Sequence, residues 1–113
     1  MQLDEDFIKI KDIGKSTNEI ISFIKDEISN KFQKKGVVIG LSGGIDSAVT
    51  AAFCAKSLGS EQMLGLIMPE KESDSESQIL AKKVAEKYNF ETKIIDITQV
   101  LESFGVYKIK EEI

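Results

Sequence analysis

The chain has 113 residues, 42% hydrophobic and 30% charged. That balance suits one folded domain with a single core and argues against a disordered polymer. Fifteen basic residues against nineteen acidic give a net charge of -4, which disfavours non-specific binding to nucleic acid or to an anionic membrane surface. The single cysteine, Cys54, leaves no intramolecular disulfide and no cysteine-based metal cluster. The absence of histidine removes the commonest neutral-pH acid/base and the commonest zinc ligand. No long apolar run occurs, and Met1–Lys15 is too acidic and too broken for a signal peptide. A soluble, cytoplasmic protein without nucleic-acid or membrane partners is the expectation.

Met1–Gly14 reads as an N-terminal arm, with Phe7, Ile8, Ile10 and Ile13 among charges and Gly14 as a break. Ser16–Lys34 predicts an amphipathic helix. Ser16 and Glu19 have capping-box spacing, and Ile20, Ile24, Ile28 and Phe32 recur at i, i+4. Lys34–Lys35 suits the negative helix end and Gly36 its C′ position. Val37–Leu41 is a short apolar run, as in a strand covered on both faces. A Gly-Gly turn follows at Ser42–Gly44. A helix opens at about Asp46–Ser47, rich in alanine to Leu58, with Gly59 to end it. Gln62–Met68 reads as a second strand, stopped by Pro69, and Pro69–Asp74 as a polar loop. Ser73 or Ser75 can cap a third helix over Ile79–Lys87, with Asn89 as its left-handed terminator. Lys93–Ile97 predicts a third strand and Thr98–Phe104 a short helix; Gly105–Ile113 has no clear stop.

Strand, helix, strand, helix, strand predicts a parallel α/β sheet with right-handed crossovers and helices on both faces. Ligands of such sheets bind outside the carboxyl ends of the strands. The turn at Ser42–Gly44 and the Met68–Pro69 corner both fall there, so two loops face one crevice. An apolar strand feeding a Gly-Gly turn that opens a helix is also how α/β proteins present backbone N–H groups to phosphate. The loop Ser42-Gly43-Gly44-Ile45-Asp46-Ser47 lacks the lysine of a Walker A loop and is not G-x-G-x-x-G. Gly43 and Gly44 let backbone N–H groups close on phosphate oxygens, Ser42 and Ser47 offer hydroxyls, and the helix adds its positive end. Asp46 would repel a bare polyphosphate. A Mg²⁺ bridging carboxylate and phosphate removes that conflict.

SGGIDS resembles the SGGxDS pyrophosphate-binding loop of the N-type ATP pyrophosphatases. GLSGGIDSA, then LGLIMP, a helix, IIDI and LESFGVY resemble the NAD synthetases within that superfamily, over Gly36–Tyr107. The resemblance implies a Rossmann-like fold of the adenine nucleotide alpha hydrolase type. It implies that residues 1–113 form a single ATP-binding domain (1–14 the arm), the N-terminal part of a longer synthetase reduced to about three strands. The resemblance makes Asp46 the Mg²⁺ ligand. It places Gly40 and Leu41 near the ribose, Ser42, Gly43, Gly44 and Ser47 around the phosphates, and Leu66–Met68, with Leu66 and Met68 at its ends, against the adenine. The implied reaction is adenylation of the carboxylate of nicotinic acid adenine dinucleotide by ATP, followed by amidation with ammonia, free or from glutamine. A homodimer of the full-length protein is implied too. No catalytic residue is assigned within this chain, and the fragment alone is expected to be inactive. Two alternatives stay open: another N-type ATP pyrophosphatase, of the GMP or asparagine synthetase kind, and a non-catalytic nucleotide-binding module.

Overall fold

The computed structural model describes residues 12–113. Most of the expected N-terminal arm therefore lies outside the described residues. Helix α1 spans Ile13–Lys25 and widens into a π-helical stretch over Asp26–Lys31. Strand β1 is Val37–Gly40, helix α2 Ile45–Leu58, β2 Met63–Ile67, α3 Ser75–Tyr88 and β3 Glu91–Ile94. Two short helices follow, α4 over Thr98–Ser103 and α5 over Val106–Glu112. All three strands run parallel in the order β1-β2-β3, with Val38 opposite Leu64 opposite Glu91, and Gly40 opposite Leu66 opposite Lys93. This is the parallel α/β order read from the sequence.

Helix α1 starts earlier than the capping-box spacing suggests. Asp12 is the N-cap, accepting from the Lys15 amide at 2.9 Å, and both Gly14 and Ser16 lie inside the helix. An aspartate one turn upstream supplies the same acceptor as Ser16 and adds a charge favourable to the helix dipole. The helix also ends before Gly36. Gln33 takes the left-handed conformation at φ 54, and the Lys34 amide donates to the Ile28 carbonyl at 2.8 Å. Gly36 serves packing instead, because a Cβ there would run into the Gln62 carbonyl. The i, i+4 row is only partly buried. Ile24 reaches the core, whereas Ile20 and Phe32 are exposed. Four residues turn an α-helix through about 400°, so such a row drifts by roughly 40° per step and leaves the core face at its ends.

Both crossovers step in the same direction along the sheet. With right-handed connections, that places both crossover helices on one face. The core is accordingly one-sided: Ala51 and Cys54 of α2, Ala81 and Ala85 of α3, and Phe90 pack on Leu41, Met63 and Ile67, with Ile24 of α1 alongside. Ala51 is 0% exposed. Small side chains on α2 and α3 let both helices approach the sheet closely. The other face of β1 is open, with Val38 63% exposed, so this strand is covered on one face and not on both. Gly65 lies in the middle of β2, where Leu41 Cδ1 and Phe90 Cε2 would stand 2.8 and 2.9 Å from a Cβ. Its missing side chain lets those two residues fill the layer. Gly59 ends α2 at φ 89, and Asn89 ends α3 at φ 58, ψ 48, both as expected. The α3 cap is Asp74, which accepts from the Glu76 amide at 2.9 Å, and not Ser73 or Ser75.

Candidate nucleotide site at the strand carboxyl ends

Strand β1 hands over to its loop at Leu41, whose amide still donates to the Leu66 carbonyl at 2.8 Å. Leu41 is buried, which leaves its backbone for any ligand. The loop then closes on itself. The Ser42 amide donates to Ser47 Oγ at 3.2 Å, and the Gly44 amide to Ser42 Oγ at 3.1 Å. Ser47 Oγ donates to the Gly44 carbonyl at 3.3 Å. With the Ser47 proton so placed, the 3.2 Å contact between the two hydroxyls takes its proton from Ser42. Both hydroxyls are therefore spent on the shape of the loop. The remaining donors are backbone amides in the first turn of α2, which have no partner inside the helix.

Gly43 stands at φ +85. A Cβ there would collide with the Ser77 carbonyl oxygen and lie 2.9 Å from Ser77 Cα. The loop is thus pressed against the first turn of α3, and glycine is required for both backbone conformation and space. Gly44 is the N-cap residue of α2. Asp46 is exposed in the first turn of that helix.

A crevice of about 200 Å³ opens beside the loop, between Leu41 and Ser42 on one side, Met68 and Pro69 on another, and Asp74 and Ser77 on the third. A larger groove, about 330 Å³, lies among Thr17, Val49, Phe53 and Tyr88 on the helical layer, away from the strand ends. The smaller crevice is where the parallel sheet places ligands. Of the residues picked from the sequence, Leu41, Ser42 and Met68 line it, and Gly43, Gly44, Asp46 and Ser47 form the adjoining loop. Gly40 and Leu66 are register partners on the open face. A Cβ on Gly40 would meet Met68 Cε at 3.3 Å, so the open face and the crevice meet at Met68.

Sequence reading missed Asp74 and Ser77, which join the site through the turn that brings α3 against Gly43. It also missed Glu70 and Tyr107. The Tyr107 hydroxyl donates to the Glu70 carboxylate, and Ser73 Oγ donates to Glu70 at 3.3 Å. The Tyr107 hydrogen bond holds the Glu70 carboxyl below its usual range. Burial, with that carboxylate beside it, pushes Tyr107 up to about 12. Asp96 accepts from the amide of Thr98, the first residue of α4, at 2.8 Å; hydrogen bonding by the Thr98 side chain first, and by that amide second, holds its carboxyl below the usual range. Burial raises the Cys54 thiol, a core group with no access to the site. Among the described residues no cluster of three or more His, Cys, Asp or Glu side chains can hold a metal, and no helix is long and apolar enough to cross a membrane.

A parallel sheet whose first strand runs through a glycine loop into a helix, with a second loop facing it, defines the class: an α/β domain with a glycine-loop strand–turn–helix at the carboxyl end of its sheet. A family model described as NAD synthase matches residues 16–113, and the chain belongs to that family. The NH(3)-dependent NAD(+) synthetase of Rhizobium rhizogenes is 37% identical over 110 residues, covering 97% of this chain and 33% of the relative. That of Methanocaldococcus jannaschii is 47% identical over 95 residues, covering 81% and 37%. This chain thus spans about a third of the length of the curated relatives it matches. Among solved structures, the NH3-dependent NAD synthetase of Campylobacter jejuni, in complex with the nitrate ion, superposes with TM-score 0.75 at 39% identity, covering 82% of this chain and 40% of that one. The glutamine-dependent NAD+ synthetase of Acinetobacter baumannii, in complex with ADP, gives TM-score 0.67 at 25% identity, covering 90% and 21%. The fold is the Rossmann-like one of the adenine nucleotide alpha hydrolases.

Proposed function

We propose that this chain is the ATP-binding part of an ammonia-fed NAD synthetase. The carrying observation is the Ser42–Ser47 loop, closed by its own hydroxyls and pressed by Gly43 onto α3, in a chain of the NAD synthase family. ATP lies across the strand ends, its pyrophosphate at the α2 amides, its ribose at Gly40 and Leu41, and its adenine against Leu66 and Met68. Residues 1–113 act as one ATP-binding domain of a cytoplasmic, homodimeric synthetase. The carboxylate of nicotinic acid adenine dinucleotide attacks the α-phosphorus, the bond to the pyrophosphate breaks, and AMP is transferred. Ammonia then attacks the acyl carbon, AMP leaves and the amide forms. The chain's own contribution is positioning and charge stabilisation by fixed backbone donors, which needs no histidine.

Asp46 fits a Mg²⁺ ion shared with phosphate oxygens, since it is a single exposed carboxylate at the phosphate end of the loop. Such an ion would neutralise charge on the departing pyrophosphate. Ammonia is favoured over glutamine by the names of the relatives in Rhizobium rhizogenes and Methanocaldococcus jannaschii. The ADP held by the Acinetobacter baumannii relative favours a nucleotide in this one.

Calorimetric titration with Mg-ATP tests the assignment in wild type and Asp46→Ala. Weaker binding and weaker Mg²⁺ dependence in the variant are expected. Identical Mg²⁺ dependence in both removes Asp46 as the ligand, and no binding by the wild type removes the nucleotide reading.

A further inference from the structure

The loop Pro69–Asp74 forms the wall of the crevice that faces Ser42, and the chain's last two helices grip it from outside. The Pro69 carbonyl accepts from the Ile97 amide at 2.9 Å. Lys71 Nζ lies 3.9 Å from the centre of the Tyr107 ring and 3.8 Å from Glu102. Glu72 pairs with Lys110 at 2.7 Å. These ion pairs are solvent-exposed, and pairs of that kind constrain little. The Tyr107–Glu70 contact differs from them. Tyr107 is buried, 8% exposed, and its hydroxyl reaches a carboxylate 37 residues away in sequence. Glu70 in turn organises the loop: its amide donates to Ser73 Oγ at 2.9 Å, and its carbonyl accepts from the Ser73 amide at 2.9 Å. Ser73 and Asp74 both line the crevice. One continuous set of contacts therefore runs from α5 through Tyr107, Glu70 and Ser73 to the crevice wall.

We propose that Tyr107 and Glu70 are positioning residues for the nucleotide crevice, holding the Pro69–Asp74 loop at the spacing from Ser42 that a bound nucleotide requires. The inference rests on the nucleotide reading above. Tyr107 does not line the crevice and acts only through the loop. Removing its hydroxyl frees the loop to sample wider positions, and the nucleotide must then supply the ordering.

The test measures ADP affinity by calorimetry and amide hydrogen exchange in the full chain, for wild type, Tyr107→Phe, Glu70→Ala and Glu70→Gln. Glutamine keeps an acceptor for the tyrosine hydroxyl; alanine does not. The expected result is ADP binding weakened about threefold to tenfold in Tyr107→Phe and Glu70→Ala, the range set by the net worth of one ordinary intramolecular hydrogen bond. Exchange at residues 70–74 should quicken in the same two variants while β1 and β2 amides keep their protection. Glu70→Gln should bind ADP within about twofold of wild type. Unaltered loop exchange in Tyr107→Phe overturns the proposal whatever the nucleotide does. Equal ADP affinity in wild type, Tyr107→Phe and Glu70→Ala also overturns it. A wild type that binds no ADP overturns the underlying nucleotide reading instead.

Discussion

Replacing Gly43 with alanine should be among the costlier single-methyl additions in this chain, and two separate penalties can be assigned. The backbone stands at φ +85, where an L-residue with a Cβ pays about 1–2 kcal/mol. The new Cβ would also lie 2.9 Å from Ser77 Cα and 3.0 Å from the Ser77 carbonyl carbon. These are backbone atoms of a helix turn and cannot swing aside as a side-chain tip would. Relieving such an overlap by shifting α3 costs a further ~1–3 kcal/mol, the scale of overpacking. Gly105 supplies the internal control. It has φ 74 and nothing within 4 Å of its Cβ position, so Gly105→Ala carries only the conformational penalty. Urea unfolding at equilibrium reads both. With a slope of about 1.5 kcal/mol per molar, Gly43→Ala should lower the midpoint by roughly 1.5–3 M and Gly105→Ala by about 1 M, with slopes unchanged. Equal midpoints for the two variants would refute the claim that the loop is wedged against Ser77. ADP binding gives a second readout under the proposed function, since moving Gly43 from Ser77 deforms the Ser42–Ser47 loop.

Two further predictions concern stability. Asp12→Ala should lose about 1 kcal/mol through loss of the cap on Lys15, whereas Ser16→Ala, inside the helix, should stay within about 0.5 kcal/mol of wild type; chemical denaturation of the two single variants checks the ordering. In pH titrations of unfolding, Glu70 and Asp96 have folded pKa values below their ordinary 4.5 and 3.8. Their contribution is complete above those ordinary values and disappears as pH falls through the lower folded ones. Tyr107 behaves oppositely: its contribution is complete below the ordinary 10.0 and is lost as pH rises toward about 12. Tyr107→Phe should flatten the alkaline limb and, by freeing Glu70, also soften the acid one. An unchanged pH profile would contradict the contact.

Local chemistry determined much of this protein before any packing was known. Val37–Gly40 is apolar and β-branched, Gly43 and Gly44 break it, and alanine-rich Ile45–Leu58 resumes as helix. Those periodicities alone order the elements and place SGGIDS at a strand end. Gly59 and Asn89 were legible as terminators because each adopts the left-handed or extended positive-φ geometry cheaply by its own nature. Boundaries set by competing local groups were less legible: Asp12 displaced Ser16, Asp74 displaced Ser73 and Ser75, and Gln33 ended the first helix before Gly36 could. The rival N-caps offer nearly the same hydrogen bond, and Gln33 takes the left-handed conformation expected of Gly36, so packing elsewhere decides. Tertiary structure alone decided the one-sided core, because a face depends on the direction of both crossovers and not on the composition of either helix. It alone put Ser77 against Gly43 and Tyr107 against Glu70. Those contacts join segments 34 and 37 residues apart, and no periodicity within a segment records which distant surface it will meet. The glycine loop is a local object written in six residues; the wall that faces it, and the contacts that hold that wall, exist only once the chain has folded.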